Sequence, residues 1–441
     1  MKKDIKAVPL IFPLWIEYIS RTLISYVSIF ILNSYSDRAA AAVSVCSQII
    51  YLLTIFYNMI SLGIVTILSQ KLGNEKCKNN DSTVSAAIIL NLFFGIIISI
   101  IVSTNAELLM KLMGLEGELL FYGTKYLSIV GVFSFVTSVS VTVSAVLRSY
   151  QLTKYTMYIM LLTNLLNIIG GYVSVFRPFG IPQLGIAGVA YSAALSQLCG
   201  TFILLFIMLR KLKIKIKIDF NSLMCEAKEI YRIGIPSALE VLAGHLSSLV
   251  IIKIITSMGD EQLVTRTYVY NIMLFIMSFS NSIGQGTQIM VGYYVGNNQN
   301  EKAYKVCWKN LKVAMVISFI FATIVYIFRN PVLVLYTQDS EILRMATPLM
   351  FLVIFLEVGR CLNLVIVSAL KGAGDVKFPV FLGIATMWGL GVLGSYVLGI
   401  RLEIGLTAIW ISYCLDEWIR GSIIALRWKS HKWETKQIVV D

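Results

Sequence analysis

Long apolar runs recur along the chain near residues 9–32, 41–70, 84–104, 121–147, 155–176 and 185–209, and again near 233–257, 264–295, 313–328, 345–370, 378–400 and 404–426. A helix needs about 20 largely apolar residues to cross a bilayer. In lipid, backbone polar groups stay paired only within helices or closed barrels, and unbroken apolarity excludes the alternation of barrel strands. The pattern predicts an all-α membrane protein with twelve transmembrane helices. The first run follows Met1 to Lys6 much as a signal peptide would, but it continues past Leu32 without a small-residue cleavage site and is expected to stay as the first span.

Composition sharpens this picture. Apolar residues make up 57% and charged residues 14% of the 441, against roughly 25% charged in globular domains. That balance excludes soluble, disordered and disulfide-framework classes. The seven cysteines form no CxxC pair, and His245 and His431 are the only histidines, so no zinc site is indicated. A net charge of +13 in a soluble protein would suggest nucleic acid. Here topology accounts for it, and no nucleic-acid partner is expected. With an even number of spans, 26 Lys and Arg residues fall in the two tails and the loops on the same side, against 8 on the other, leaving Arg21, Lys253 and Arg360 within spans. The positive-inside rule then puts both termini in the cytoplasm, and the plasma (inner) membrane is the expected location. The sixth loop, Arg210 to Lys217, alternates Lys with Ile and reads as either a solvated linker or a contact with anionic headgroups.

The two halves match at a constant offset. Pro13 and Glu17 recur as Pro236 and Glu240, Gly63 and Gly73 as Gly286 and Gly296, and Leu147, Arg148 and Lys154 as Leu370, Lys371 and Lys377, all displaced by 223 residues. Farther on the offset shortens to about 220, where Gly180, Gly185 and Ser192 meet Gly399, Gly405 and Ser412. An internal duplication of six helices follows. The expected division is an amino-terminal lobe over 1–210, a cytoplasmic linker over 211–230 and a carboxy-terminal lobe over 231–441. Each repeat has an even number of spans, so the lobes share one orientation about an axis along the membrane normal, facing each other across a central cavity. A monomer in the lipid bilayer is expected.

Ionisable side chains are costly inside a span, which makes each of the few present a functional candidate. Glu17 and Arg21 lie at i and i+4 on one face of the first span, where they either lock together or release each other so that Glu17 takes up a proton or cation. Glu240 has no such neighbour, since its i+4 position is Gly244. This makes it the stronger candidate for exchanging a proton with a cation. His245, farther along, is a core imidazole or a proton relay, and Lys253 is expected to snorkel at the outer end. In the eighth run Asn271, Ser278, Asn281, Gln285 and Gln288 share one stripe, which must face protein or water as helix-to-helix glue or as cavity lining. Asn164 and Asn167 make a smaller polar patch in the fifth. Glu357 and Arg360, at i and i+3 with Asn363 a turn on, read as a structural pair. Asp416, Glu417 and Arg420 read as a solvated or inter-helix cluster near the cytoplasmic end. Gly389 to Gly394 fits GxGxxG but follows no strand, so it reads as close helix packing. No Walker A sequence, nucleophile elbow or metal-ligand spacing occurs, and neither an enzyme nor a cofactor is indicated.

The duplicated Pro-x3-Glu, the segment Ala369-Leu370-Lys371-Gly372-Ala373-Gly374-Asp375 with its counterpart Val146-Leu147-Arg148-Ser149, the segment Ser282-Ile283-Gly284-Gln285-Gly286-Thr287-Gln288 and the ending Asp416-Glu417-Trp418-Ile419-Arg420 occur in order over the whole chain. Together they resemble the bacterial multidrug and toxic compound extrusion (MATE) family. The resemblance implies a secondary antiporter that exports amphipathic, often cationic compounds in exchange for inward H⁺ or Na⁺ by alternating access, with no cofactor besides the coupling ion. Many members carry an Asp fifteen residues after the first-span proline, where this chain has Ser28. Others carry Asn-x3-Asp in the fifth span; Asn167 matches, but Gly171 takes the acid's place. Both departures direct the expected ion site to Glu240 and the eighth-span stripe, and whether it takes Na⁺ or H⁺ is left open. A flippase for lipid-linked saccharides, of the same superfamily architecture, is the alternative. It calls for an Arg-rich cavity to hold pyrophosphate, whereas Arg21 and Arg360 each stand beside a Glu.

Overall fold

The structure is a computed structural model that describes residues 5–74, 80–176, 184–216 and 220–438. Of the basic residues assigned to loops, Lys2, Lys3, Lys76, Lys78, Arg177 and Lys217 lie outside these, as does Gly180. Regular structure among the described residues is helical: α1 (Ala7–Asn33), α2 (Asp37–Gly73), α3 (Asp81–Thr104), α4 (Ala106–Leu112), α5 (Gly117–Val132), α6 (Ser134–Ser149), α7 (Thr153–Phe176), α8 (Gly185–Leu212), α9 (Phe220–Thr256), α10 (Asp260–Gly296), α11 (Asn300–Ile327), α12 (Arg329–Val334), α13 (Ser340–Ala373), α14 (Lys377–Arg401) and α15 (Leu406–Lys429). Nine of the described helices are long and apolar enough to cross a membrane, and α5 with α6 make a tenth as one span bent by 50°. The other two expected spans are α10 and α15, long enough at 37 and 24 residues but polar. They carry the Asn/Gln stripe and the Asp416–Glu417–Arg420 cluster. A span of that character is stable only where protein or water covers it, and α10 is buried along most of its length beyond Thr265. Pro13 and Pro236 stand inside α1 and α9, each removing an intrahelical hydrogen bond at matched positions of the repeat.

The chain divides into two compact units: Val8–Leu68 with Lys78–Ile235, and Pro236–Asp441 with Met1–Ala7 and Ser69–Cys77. The boundary falls inside α9, at Pro236, instead of in a linker over 211–230; from Phe220 onward the chain is already helix. In the amino-terminal unit the buried Asn91 ties three helices together. Its Nδ2 donates to Tyr57 O at 3.2 Å, Ser138 O at 3.0 Å and Thr142 Oγ1 at 2.6 Å, and Ser138 Oγ donates back to Asn91 O at 2.9 Å. Within the same unit α2 and the start of α9 meet backbone to backbone. A methyl on Gly63 would lie 2.5 Å from Ile230 O, and one on Gly234 would lie 2.2 Å from Met59 O.

The carboxy-terminal unit packs around Ile251, Met273, Leu349 and Trp410 from four of its helices. It also includes the tip of α2, where the duplication becomes a physical contact. A methyl on Gly73 would lie 2.0 Å from Tyr293 O, and one on Gly296 would lie 2.0 Å from Gln70 O. The offset of 223 relates Gly73 to Gly296 and Gln70 to Tyr293. The contact is therefore self-complementary, each repeat supplying the glycine for the other's carbonyl. Gly185 and Gly405, another duplicated pair, both have left-handed backbone, φ +53° and +78°, at the starts of α8 and α15. Gly389 and Gly391 correct the packing reading of GxGxxG, because nothing lies within 4 Å of where a methyl would stand on either. They belong to a π-helical stretch, Met387–Val392, and only Gly394 of the motif is close-packed, where a methyl would lie 3.1 Å from Ser412 Oγ.

Candidate ion-coupling site

Each unit carries a buried Glu–cation pair, and neither pair is the one that spacing along a single helix suggests. Glu17 is 4% exposed, and its Oε2 accepts from Arg148 Nη2 at 2.5 Å, whereas Arg21, one turn on, is exposed. Glu240 has a partner as well: Lys371 Nζ lies 2.6 Å from its Oε2, with both side chains about 85% buried. The expected Glu17–Arg21 lock and the unpartnered Glu240 are thus both corrected. In each case the partner lies 131 residues downstream. Because Glu17/Glu240 and Arg148/Lys371 both obey the offset of 223, the duplication has copied an entire ion pair.

Around Glu240 the carboxy-terminal unit gathers further charge. Gly383 on α14 is the small residue that makes room: a methyl there would lie 3.3 Å from Glu240 Oε1 and 3.7 Å from Arg420 Nη1. Arg420 Nη2 on α15 donates to Asp416 Oδ2 at 3.2 Å and Glu417 Oε2 at 3.0 Å. Glu417 Oε1 accepts from Arg360 Nε on α13 at 3.1 Å, and Arg360 also bonds Glu357, which is fully buried. Immediately after Arg360, α13 widens into a π turn over Leu362–Ile366. Such a turn re-aims the side chains it contains, and here Asn363 Nδ2 donates to Glu417 O at 2.8 Å and to Oε2 at 2.6 Å. The expected Glu357–Arg360 pair is present, but it is one edge of a network. Asp416, Glu417 and Arg420, expected as a solvated or inter-helix cluster, are buried members of it. By direct contact the network sets three carboxylates (Glu357, Asp416, Glu417) against two cations (Arg360, Arg420), and the Glu240–Lys371 pair stands beside it at Gly383. Glu357 Oε2 and Asp416 Oδ1 are buried without a hydrogen-bond partner. Arg266, counted among the eight basic residues on the non-cytoplasmic side although it lies within the run 264–295, is buried in α10 with its guanidinium 4.4 Å from the Tyr270 ring.

None of Asn271, Ser278, Asn281, Gln285 and Gln288 on α10 is exposed, and Gln285 Oε1 is buried without a partner. Hydrogen bonds to neighbouring helices come from residues beside the stripe: Ser280 to Ser318 at 3.0 Å and Cys361 at 3.2 Å, and Thr287 from Asn310 at 2.9 Å. In the amino-terminal unit Asn164 Nδ2 donates to Ser20 O at 3.3 Å, and Asn167 is half-buried. His245 is half-buried and Lys253 exposed in the last turn of α9. Ser28 is half-buried. Gly171 is buried but loosely packed, since a methyl there would have Ile31 as its nearest neighbour at 3.8 Å. No group of three or more His, Cys, Asp or Glu among the described residues is placed to hold a metal ion.

Helices of this length and apolarity, with buried charge confined to their inner faces, define a multi-pass α-helical membrane protein. The chain belongs to the MatE family, whose model matches residues 13–173 and again 236–397. The two matches open on the duplicated prolines. The chain is 36% identical, over 97% of its length and 94% of the relative's, to the uncharacterized transporter YisQ of Bacillus subtilis (strain 168). It is 24% identical, over 92% of its length and 88% of the relative's, to the probable multidrug resistance protein NorM of Thermotoga maritima. Among solved structures, the outward-facing conformation of a multidrug resistance MATE family transporter of the MOP superfamily matches with a TM-score of 0.88 at 18% identity, covering 98% of both chains. A MOP superfamily transporter from Pyrococcus furiosus, described as having a binding pocket of reverse polarity, matches with 0.87 at 18% identity over the same shares. At these identities the structural likeness is one of fold.

Proposed function

We propose that the protein is a secondary active antiporter of the plasma membrane, exporting amphipathic or cationic small molecules by alternating access in exchange for H⁺ or Na⁺. It works as a monomer with both termini in the cytoplasm, and the coupling ion is its only inorganic partner. Family membership and the NorM relatives support the export of drugs. The observation that carries ion coupling is the local excess of carboxylate around Arg360 and Arg420. Three bonded acids (Glu357, Asp416, Glu417) share these two guanidinium groups, and Glu357 Oε2 and Asp416 Oδ1 are buried without a hydrogen-bond partner, so burial penalises the negative charge left there. Uptake of one H⁺ or Na⁺ removes that penalty, and arrival of a cationic substrate removes it equally well. The two therefore compete, and competition is what antiport requires. In the amino-terminal unit Glu17 interacts with both Arg148 and Arg21. With Ser28 and Gly171 at the positions where other members carry an acid, Glu17 in its span already has Arg148 as partner. Arg148, Arg360 and Arg420 each already have a carboxylate beside them, which offsets the charge that a pyrophosphate would need under the flippase reading.

Purified protein in proteoliposomes, given a pH gradient and a Na⁺ gradient separately, tests the proposal through efflux of a fluorescent lipophilic cation. One gradient is expected to drive efflux. Efflux that follows neither gradient would refute antiport.

A further inference from the structure

Beyond transport, one face of α11 joins a basic recess to an exposed apolar stripe. Tyr304, Lys305, Trp308, Lys309 and Lys312 line an open recess of about 340 Å³ near the start of that helix. The three lysines are spaced by 4 and 3 residues, so they project from one stripe. Each is exposed, and among the described residues the only acid in contact with them is Glu301, 3.6 Å from Lys305. Its aromatic wall, Tyr304 and Trp308, is backed by a stack of buried rings. Tyr304 stacks parallel to Trp428 at 6.3 Å and lies 4.7 Å from His431, while Trp428 stacks on Trp433 at 4.3 Å with both indoles fully buried. Continuing by 4 and then 3 residues, the same stripe turns apolar while staying exposed, with Val316 at 56%, Phe319 at 52% and Ile320 at 51%.

We infer that this face of α11 binds an anionic phospholipid, with its phosphodiester among Lys305, Lys309 and Lys312 and its acyl chains along Val316, Phe319 and Ile320. Three facts point there together. Ammonium groups are point-charge ligands for phosphate. Tyr and Trp occupy the headgroup level, where one end of the ring is apolar and the other wet. The apolar continuation begins one helical turn below the last lysine, about 6 Å along the axis, where acyl chains begin beneath a headgroup. A soluble anion would use the lysines alone, whereas a phospholipid uses them together with Val316, Phe319 and Ile320 on the same stripe. The positive-inside bias explains basic residues at this end of α11, but it does not explain the recess or the rings stacked behind Tyr304.

Native mass spectrometry of the full chain in detergent tests the inference, with phosphatidylglycerol, phosphatidylcholine and sodium phosphate titrated separately. The wild type is expected to retain phosphatidylglycerol in preference to phosphatidylcholine. Each lysine changed to Gln should weaken that binding about fivefold, the equivalent of ~1 kcal/mol per basic residue at an anionic surface. The triple change K305Q/K309Q/K312Q should then cost about 100-fold, while K211Q/K213Q/K215Q in the sixth loop should leave binding unchanged. All substituted side chains are exposed, so both variants should elute as the wild type does on size exclusion. Equal retention by the α11 triple variant, equal loss in the loop variant, or displacement of the lipid by millimolar phosphate would each overturn the inference.

Discussion

The Glu240–Lys371 pair offers the sharpest test of how the carboxy-terminal unit is held together. Replacing Glu240 with Gln keeps the shape but leaves the Lys371 ammonium, 14% exposed, without its carboxylate. Removing one partner of a fully buried pair costs about 3–5 kcal/mol, and the residual water access here brings the expected loss to about 3 kcal/mol. Lys371→Met should cost less, about 2 kcal/mol, because Arg420 also faces Glu240 and still offsets its charge. The double variant E240Q/K371M contains neither charge and should recover most of the loss, giving a coupling energy of about 2 kcal/mol or more. The four proteins can be compared by denaturant unfolding in detergent micelles, followed through tryptophan fluorescence. Losses that simply add in the double variant, or an E240Q protein as stable as the parent, would show that the two residues do not share a buried bond.

Glu17→Gln should destabilise the amino-terminal unit by a similar ~3 kcal/mol, yet leave ion-driven efflux in place; a well-folded E17Q protein without coupled efflux would show that the amino-terminal unit takes part in coupling. Gly73→Leu forces a side chain to within 2.0 Å of Tyr293 O and should abolish the monodisperse size-exclusion peak, whereas Gly171→Ala meets nothing closer than 3.8 Å and should melt within about 1 °C of the parent. Asn91→Leu removes the Nδ2 contacts to Tyr57 O, Ser138 O and Thr142 Oγ1, while Thr142 keeps its own bond to Ser138 O, a loss of about 2 kcal/mol readable in the same unfolding assay.

Much of the candidate site was visible along the chain as individual residues. Glu17, Glu240, Glu357 and Arg360 stand out because a charge within an apolar run has few uses. Their partners were harder to see. Spacing of i and i+4 finds only partners on the same helix, which is why Arg21 looked like the mate of Glu17 and Glu240 looked alone. The missing signal was nonetheless present: Arg148 and Lys371 recur at the same offset as the two glutamates, and a duplicated acid with a duplicated base suggests a duplicated pair. No comparable signal exists for Asn363, because its bonds to Glu417 depend on the π turn at Leu362–Ile366, an extra residue per turn that apolar sequence does not announce.

Sequence alone determined that this is a duplicated, multi-pass helical membrane protein, for a reason specific to lipid. The bilayer forces every backbone group to bond within its own helix, so length and apolarity suffice to draw the spans. Only the tertiary structure decided which charges meet. It joined Asp416, Glu417 and Arg420 to Glu357 and Arg360, gave Glu240 a lysine from another helix, and turned the repeated glycines at 73 and 296 into one reciprocal contact. Those choices depend on distances across helices of a few ångströms. They are fixed by which small residues let two helices approach, and the linear pattern of apolar and polar positions does not contain them.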